Sequence, residues 1–185
     1  MDKSLTADGS TFTAHKILFA TESTGLIHQY QPDLNTDFCS TVNLYFTAAT
    51  SPVRQPILLL NTKKSLVNNV TVLSDVADTY SASGNALISV TIVGINNDEI
   101  STLTQKVKTE LTTWFGKAVE SWELLKTYPV QYALPKVPSA RHELPSIEFK
   151  IKENWYQCGD HLLYGSLNAA MRSGRLAAEL IVREG

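Results

Sequence analysis

The alternation of apolar and polar positions marks most of the chain as strands. "TVNLYFTA", residues 41–48, sets Val42, Leu44 and Phe46 against Asn43, Tyr45 and Thr47, the period of two of a half-buried strand. "QPILLLNTK", "NNVTVLSDV" and "ALISVTIVG" follow, each bounded by Pro, Gly, Asn or Ser. Four such segments at this spacing predict a sheet that is at least partly antiparallel. Near the start, Asp8-Gly9 predicts a tight hairpin turn. The run Ile17-Leu18-Phe19 that follows predicts a strand covered on both faces.

Period 3.6 replaces period 2 in "NNDEISTLTQKVKTELTTWFG". Ile100, Leu103, Val107, Leu111 and Trp114 form one stripe, which predicts a helix over 98–115. Asn97 is the expected N-cap, with Asp98 and Glu99 beside the positive helix end. Gly116 stands where a left-handed C-cap residue belongs. Pro129, Pro135 and Pro138 make the next stretch extended rather than helical. "NWYQCGD", residues 154–160, predicts a short strand. The last helix is expected from about Ser166 to Glu184, with Leu167, Ala170, Met171, Gly174, Ala178 and Ile181 on its apolar face.

These elements predict an α+β fold, derived from α/β: a mixed, largely antiparallel sheet with packed helices, followed by a terminal strand and helix of nucleotide-binding type. The chain enters directly into strands, as a segment of a longer protein would.

Composition narrows the function classes. At 185 residues the chain can bury a substantial core. A formal net charge of −2 gives no basic footprint for nucleic acid or an anionic membrane surface. No apolar run reaches the length of a membrane span. Cys39 and Cys158 stand far apart with no Cys-X-X-Cys, so neither zinc nor a disulfide framework is expected. Both are expected as buried, reduced thiols of a cytoplasmic protein.

The candidate chemistry lies in "NWYQCGDHLLYGSLNAAMRSGRLAAELI", residues 154–181. Gly159-Asp160 at a strand end would leave a carboxylate beyond the carboxyl edge of the sheet, where open α/β sheets bind ligands. Such a carboxylate can accept hydrogen bonds from sugar or ribitol hydroxyls. The next helix would aim its N-terminus, near Ser166, Leu167 and Asn168, at the same place, and free N–H groups there favour an anionic partner. Its small residues leave room for a ring.

Residues 158–181 resemble the C-terminal flavin motif of the FAD-dependent amine oxidase and phytoene desaturase superfamily. That motif runs Gly-Asp, a short loop, Ser-(Leu/Ile)-(Asn/Glu)-(Gly/Ala)-Ala, then Ser-Gly-Arg-X-Ala-Ala. "LTADGSTFTAHKILFATES" is similar to the family's strand pair leading back to the flavin domain. There the family ends in Ala-Thr-Gly or Ala-Thr-Pro; this chain has Ala20-Thr21-Glu22. The middle of the chain resembles a bacterial and plant branch of phytoene-dehydrogenase-like oxidoreductases.

The resemblance implies that Asp160 bonds the ribitol or pyrophosphate region of FAD and that Gly159 allows close backbone approach. The backbone around Ser166, Leu167 and Asn168 would face the flavin pyrimidine carbonyl. It implies residues 1–25 and 150–185 as parts of the FAD domain and 26–149 as the substrate-side sheet domain. The superfamily's Gly-X-Gly-X-X-Gly loop is not in this sequence, which holds nine glycines and no Gly-X-Gly. The chain therefore reads as the C-terminal portion of a longer FAD enzyme. The rest of the FAD domain would be its intramolecular partner and a small molecule its substrate. Alone, such a chain is expected to be inactive and to hold FAD weakly. The alternative is a flavin-free binding or scaffold module.

No catalytic residue is assigned. Tyr128, Tyr132, His161 and Tyr164 stand nearest the expected flavin by motif position. The aromatic residues are expected chiefly as core or interface groups, and His161 as a solvated loop residue.

Overall fold

The computed structural model describes residues 2–5, 9–34, 37–94, 96–143 and 145–185. Its elements run in order as β1 (Asp2–Leu5), β2 (Thr11–Ala14), β3 (Ile17–Ala20), α1 (Gly25–His28), β4 (Phe38–Ala48), β5 (Leu58–Leu60), β6 (Asn69–Val72), α2 (Leu73–Val76), β7 (Ala86–Val93), α3 (Ile100–Phe115), β8 (Glu123–Pro135), β9 (Lys150–Lys152), β10 (Trp155–Cys158) and α4 (Leu167–Arg183). The content is α+β, with an antiparallel sheet as its largest element. The chain divides into two compact units, residues 1–38 with 134–185, and residues 39–133. Residues 26–38 and 134–149, assigned by the sequence reading to the sheet domain, group with the first unit.

The second unit is built on a five-stranded sheet of order β5-β6-β7-β4-β8. The β5–β6, β6–β7 and β7–β4 pairings are antiparallel. Val42, Leu44, Phe46 and Ala48 alternate inward along β4, and Ala86, Ile88, Val90 and Ile92 along β7. Leu103, Val107 and Leu111 of α3 complete that core, with Val119 and Trp122 closing its end. Pro129 sits in the edge strand β8, where its missing N–H breaks no ladder within a sheet interior.

Helix α3 differs from expectation at its start. It begins at Ile100, not 98, and its N-cap position is Glu99, not Asn97. Ile100 is 57% exposed, since the first turn lies beyond the sheet; Trp114 packs partly buried at the other end. Gly116 takes φ 68°, the left-handed region expected of that glycine. The segment read as strand over "NNVTVLSDV" stops at Val72 and turns into α2. There Ser74 Oγ accepts the Leu87 amide, so the chain bonds to β7 through a side chain. Cys39 is exposed, contrary to expectation, because it precedes the inward alternation of β4; Cys158 is buried.

The first unit holds a β1–β2 hairpin and a three-stranded sheet of order β3-β10-β9. The hairpin pairs Asp2 with Ala14 and Leu5 with Thr11. Asp8 of its expected turn lies outside the described residues. β3 and β10 run parallel, with Trp155 opposite Ile17 and Cys158 opposite Ala20. Phe19, Ile27 and Trp155 cluster together, and Phe149, Tyr156 and Cys158 with Ala177 and Leu180 of α4. β3 is not covered on both faces as expected: Phe19 is buried on one face, whereas Leu18 on the other is 39% exposed, with no described element packed over it as a core cluster.

The apolar face of α4 is also corrected. Ala169, Ser173, Ala177 and Leu180 are buried, whereas Leu167 and Met171 are 77% and 67% exposed. Four-residue spacing still governs the face, but small side chains occupy it. They let the helix approach β10 closely, and bulkier Leu167 and Met171 would hold it away.

Candidate functional site

The site candidates gather where β3 and β10 end. Being parallel and in register, the two strands release their chains at one level, Ala20 beside Cys158. Thr21–Thr24 follow one strand and Gly159–Ser166 the other. Both therefore lie at a carboxyl edge, where sheets of this kind take ligands.

Hydrogen bonds fix the path from β10 into α4. The Gly159 amide donates to Ser173 Oγ at 2.9 Å, and that hydroxyl donates to the Ala170 carbonyl at 2.9 Å. Asp160 opens a single 3-10 turn, Asp160–Leu162, closed by the Leu163 amide on the Asp160 carbonyl at 3.0 Å. Leu163 is fully buried and anchors the turn. Ser166 then caps α4, its Oγ accepting the Ala169 amide at 3.1 Å. Gly165 is needed for close approach: a Cβ there would stand 3.2 Å from Leu134 Cβ and 3.3 Å from the Pro135 carbonyl.

Burial sets the electrostatics. It raises the Asp160 carboxyl above its ordinary value, against the lowering influence of neighbouring His161. It lowers the His161 imidazole below its ordinary value, against the Asp160 and Glu22 carboxylates. On the β3 side, Glu22 Oε2 accepts the Thr24 amide at 2.6 Å and also the Thr24 hydroxyl. Ser23 is 1% exposed with an unpartnered hydroxyl.

Gly159, Asp160, Ser166, Leu167 and Asn168 thus form one continuous stretch from strand end to first helical turn. Ser166 is committed to its cap. Leu167 and Asn168 expose their side chains, and only their backbone N–H groups face the helix end. His161 is not the solvated loop residue expected: both ring nitrogens are buried, because the turn folds the ring back on Gly159. Tyr164 lies beside His142 with the rings tilted, centroids 5.2 Å apart. Tyr128 and Tyr132 belong to the second unit, where Tyr128 meets Tyr45 edge to face at 5.7 Å. The sequence reading takes Ser173 only as one of the small residues that pack the last helix on the sheet, not as the partner of the Gly159 amide, and does not single out Ser23. The four-residue repeat Ala169, Ser173, Ala177 was the available signal for the first; nothing in the pattern marks the second.

Among the described residues, no group of three or more His, Cys, Asp or Glu is placed to hold a metal ion. Among them, too, no helix is long and apolar enough to cross a membrane.

The family model for flavin containing amine oxidoreductase matches residues 2–182. The chain belongs to that family. Three solved structures share the fold of this chain. A protein from Pyrococcus furiosus is 12% identical with a TM-score of 0.59, the match covering 95% of this chain and 44% of that one. An oxidoreductase from Methanosarcina mazei is 12% identical with a TM-score of 0.61, covering 93% and 44%. A reduced UDP-galactopyranose mutase is 14% identical with a TM-score of 0.51, covering 72% and 32%. The chain thus spans less than half the length of each. A search of curated proteins finds no match.

Proposed function

We propose that the chain is the C-terminal part of an FAD-dependent oxidoreductase, of amine oxidase or phytoene dehydrogenase type, working in the cytoplasm. It would take a hydride from a small organic substrate. The bound flavin supplies the electron-accepting chemistry; the residues here bind and orient. Asp160 accepts hydrogen bonds from ribitol hydroxyls beside the pyrophosphate, and its ionised form makes the stronger bond. The α4 N-terminus, held by the Ser166 cap, turns free amides toward the pyrimidine carbonyl. Ser173 keeps the Gly159–Asp160 backbone in place beneath them. The sheet of residues 39–133 forms the substrate side. The adenosine half of the cofactor is taken by a dinucleotide-binding segment outside these 185 residues.

The observation that carries this reading is the Gly159–Asp160 strand end locked to α4 at the carboxyl edge of a parallel strand pair. A second observation agrees with it. Among the described residues, Ser23, His28, Gln31, Gln157, His161 and Arg172 bury unpartnered polar atoms, and all six lie in the first unit. In the second unit only Thr127 does so among the described residues. Natural folds satisfy such groups with protein, ordered water or ligand, so the first unit has polar positions that a ligand or further chain can use.

The test is Asp160→Ala in the complete flavoprotein. Flavin occupancy, read from visible absorbance, should fall; unchanged occupancy would remove the role given to this carboxylate.

A further inference from the structure

Gly159 has φ 162° and ψ 165°, extended backbone that any residue adopts. Conformation therefore does not demand glycine here. Space does. A Cβ on Gly159 would lie 2.4 Å from His161 Cε1, 2.5 Å from its Nδ1 and 3.1 Å from the Thr21 carbonyl oxygen. The imidazole fills the volume left by the absent side chain.

The ring gains no polar partner in that seat. Nδ1 and Nε2 are both buried and neither makes a hydrogen bond. Burying polar atoms in this way is unfavourable, and it lowers the imidazole below its ordinary value despite Asp160 and Glu22 nearby. The adjoining loop repeats the pattern, with Ser23 buried and its hydroxyl unpartnered. The ring is thus held by packing alone, directly against the backbone that a ligand of Asp160 would approach.

We propose that His161 is a displaceable plug: its imidazole seals the backbone face of Gly159 in the ligand-free protein and swings out when a flavin takes that face. The choice of ligand rests on the flavin reading above; the ring's seat does not. Outside the seat the imidazole regains hydrogen bonds to water. The ligand gains the backbone face of Gly159 that the ring vacates. Closed molecules do not bind, so the plug weakens apparent affinity by the fraction of time it stays shut. A plug and a contact residue therefore respond to truncation with opposite sign.

The experiment is NMR on the 185-residue chain, with FMN as probe. In the free chain, a nuclear Overhauser effect should join the His161 ring to the Gly159 α-protons, and FMN should abolish it. His161→Ala should bind FMN about 3- to 10-fold more tightly, the closed fraction having been removed. Gly159→Ala should expel the ring and return His161 titration towards the ordinary range. The plug is overturned if the ring contact survives while FMN shifts the Asp160 and Asn168 amides. It is equally overturned if His161→Ala binds FMN no better than the parent. If FMN shifts no amide from Gly159 to Asn168, the flavin reading fails instead. The seat is then decided by Gly159→Ala, and an unchanged His161 titration overturns it.

Discussion

Ser173 lies directly beneath Gly159, its hydroxyl accepting the Gly159 amide at 2.9 Å while fully buried in α4. One hydroxyl thereby joins the end of β10 to the second turn of the helix. Ser173→Ala strands a buried N–H, which should destabilise by about 1–3 kcal/mol. Urea unfolding of the two proteins measures it. A loss below about 0.5 kcal/mol, the usual surface value, would show that the amide finds another partner.

Helix α3 should reveal which of its apolar residues face the sheet. Leu111 is fully buried, so Leu111→Ala should destabilise by about 2–5 kcal/mol. Ile100, 57% exposed, should change stability by less than about 0.5 kcal/mol on replacement by Ala. Equal losses in denaturant midpoint would mean that the first turn packs as well.

The C-terminal end of α4 should give stability a dependence on pH at both extremes. Glu184 accepts Lys150 Nζ at 2.9 Å and the Tyr156 hydroxyl at 2.6 Å. The Lys150 bond first, then Tyr156, holds Glu184 below its ordinary carboxyl value. Its contribution is therefore present above the unfolded value and lost as pH falls through the folded one. Tyr156 is raised to about 12, chiefly by its bond to Glu184. Its contribution is complete below the unfolded value of about 10 and disappears as pH climbs to about 12. Glu184→Gln should flatten the acid limb of melting temperature against pH, and Tyr156→Phe the alkaline limb. Limbs unchanged in both variants would contradict these assignments.

Much of this architecture is legible in the residues. The alternation from Val42 to Phe46 gives β4 and its inward face directly, because an extended chain turns successive side chains to opposite faces. The Leu103, Val107, Leu111 spacing gives α3 in the same way, since residues four apart share one helix face. The face of α4 is not legible by hydropathy. Leu167 and Met171 are the more apolar residues, yet closeness of packing selects Ala169, Ser173 and Ala177. Non-local bonds are equally hidden. Glu110 accepts the amides of Leu66 at 3.0 Å and Val67 at 3.3 Å, pinning a loop more than 40 residues earlier to α3. At the site, the motif marks Gly159 and Asp160. It cannot show that the space at Gly159 belongs to the His161 ring, since that depends on how the turn folds back.

The most direct test of the flavin site is equilibrium dialysis of the 185-residue chain with FMN and with ADP, for the parent and Asp160→Ala. One helix end contributes about 0.3–1 kcal/mol and one charge-assisted hydrogen bond about 1.5–3 kcal/mol. A dissociation constant of 1 mM corresponds to about 4.1 kcal/mol. The expected result is FMN binding that is millimolar at best, weaker in Asp160→Ala, with no binding of ADP. Equal binding of FMN and ADP, or FMN binding untouched by loss of the Asp160 carboxylate, would contradict it.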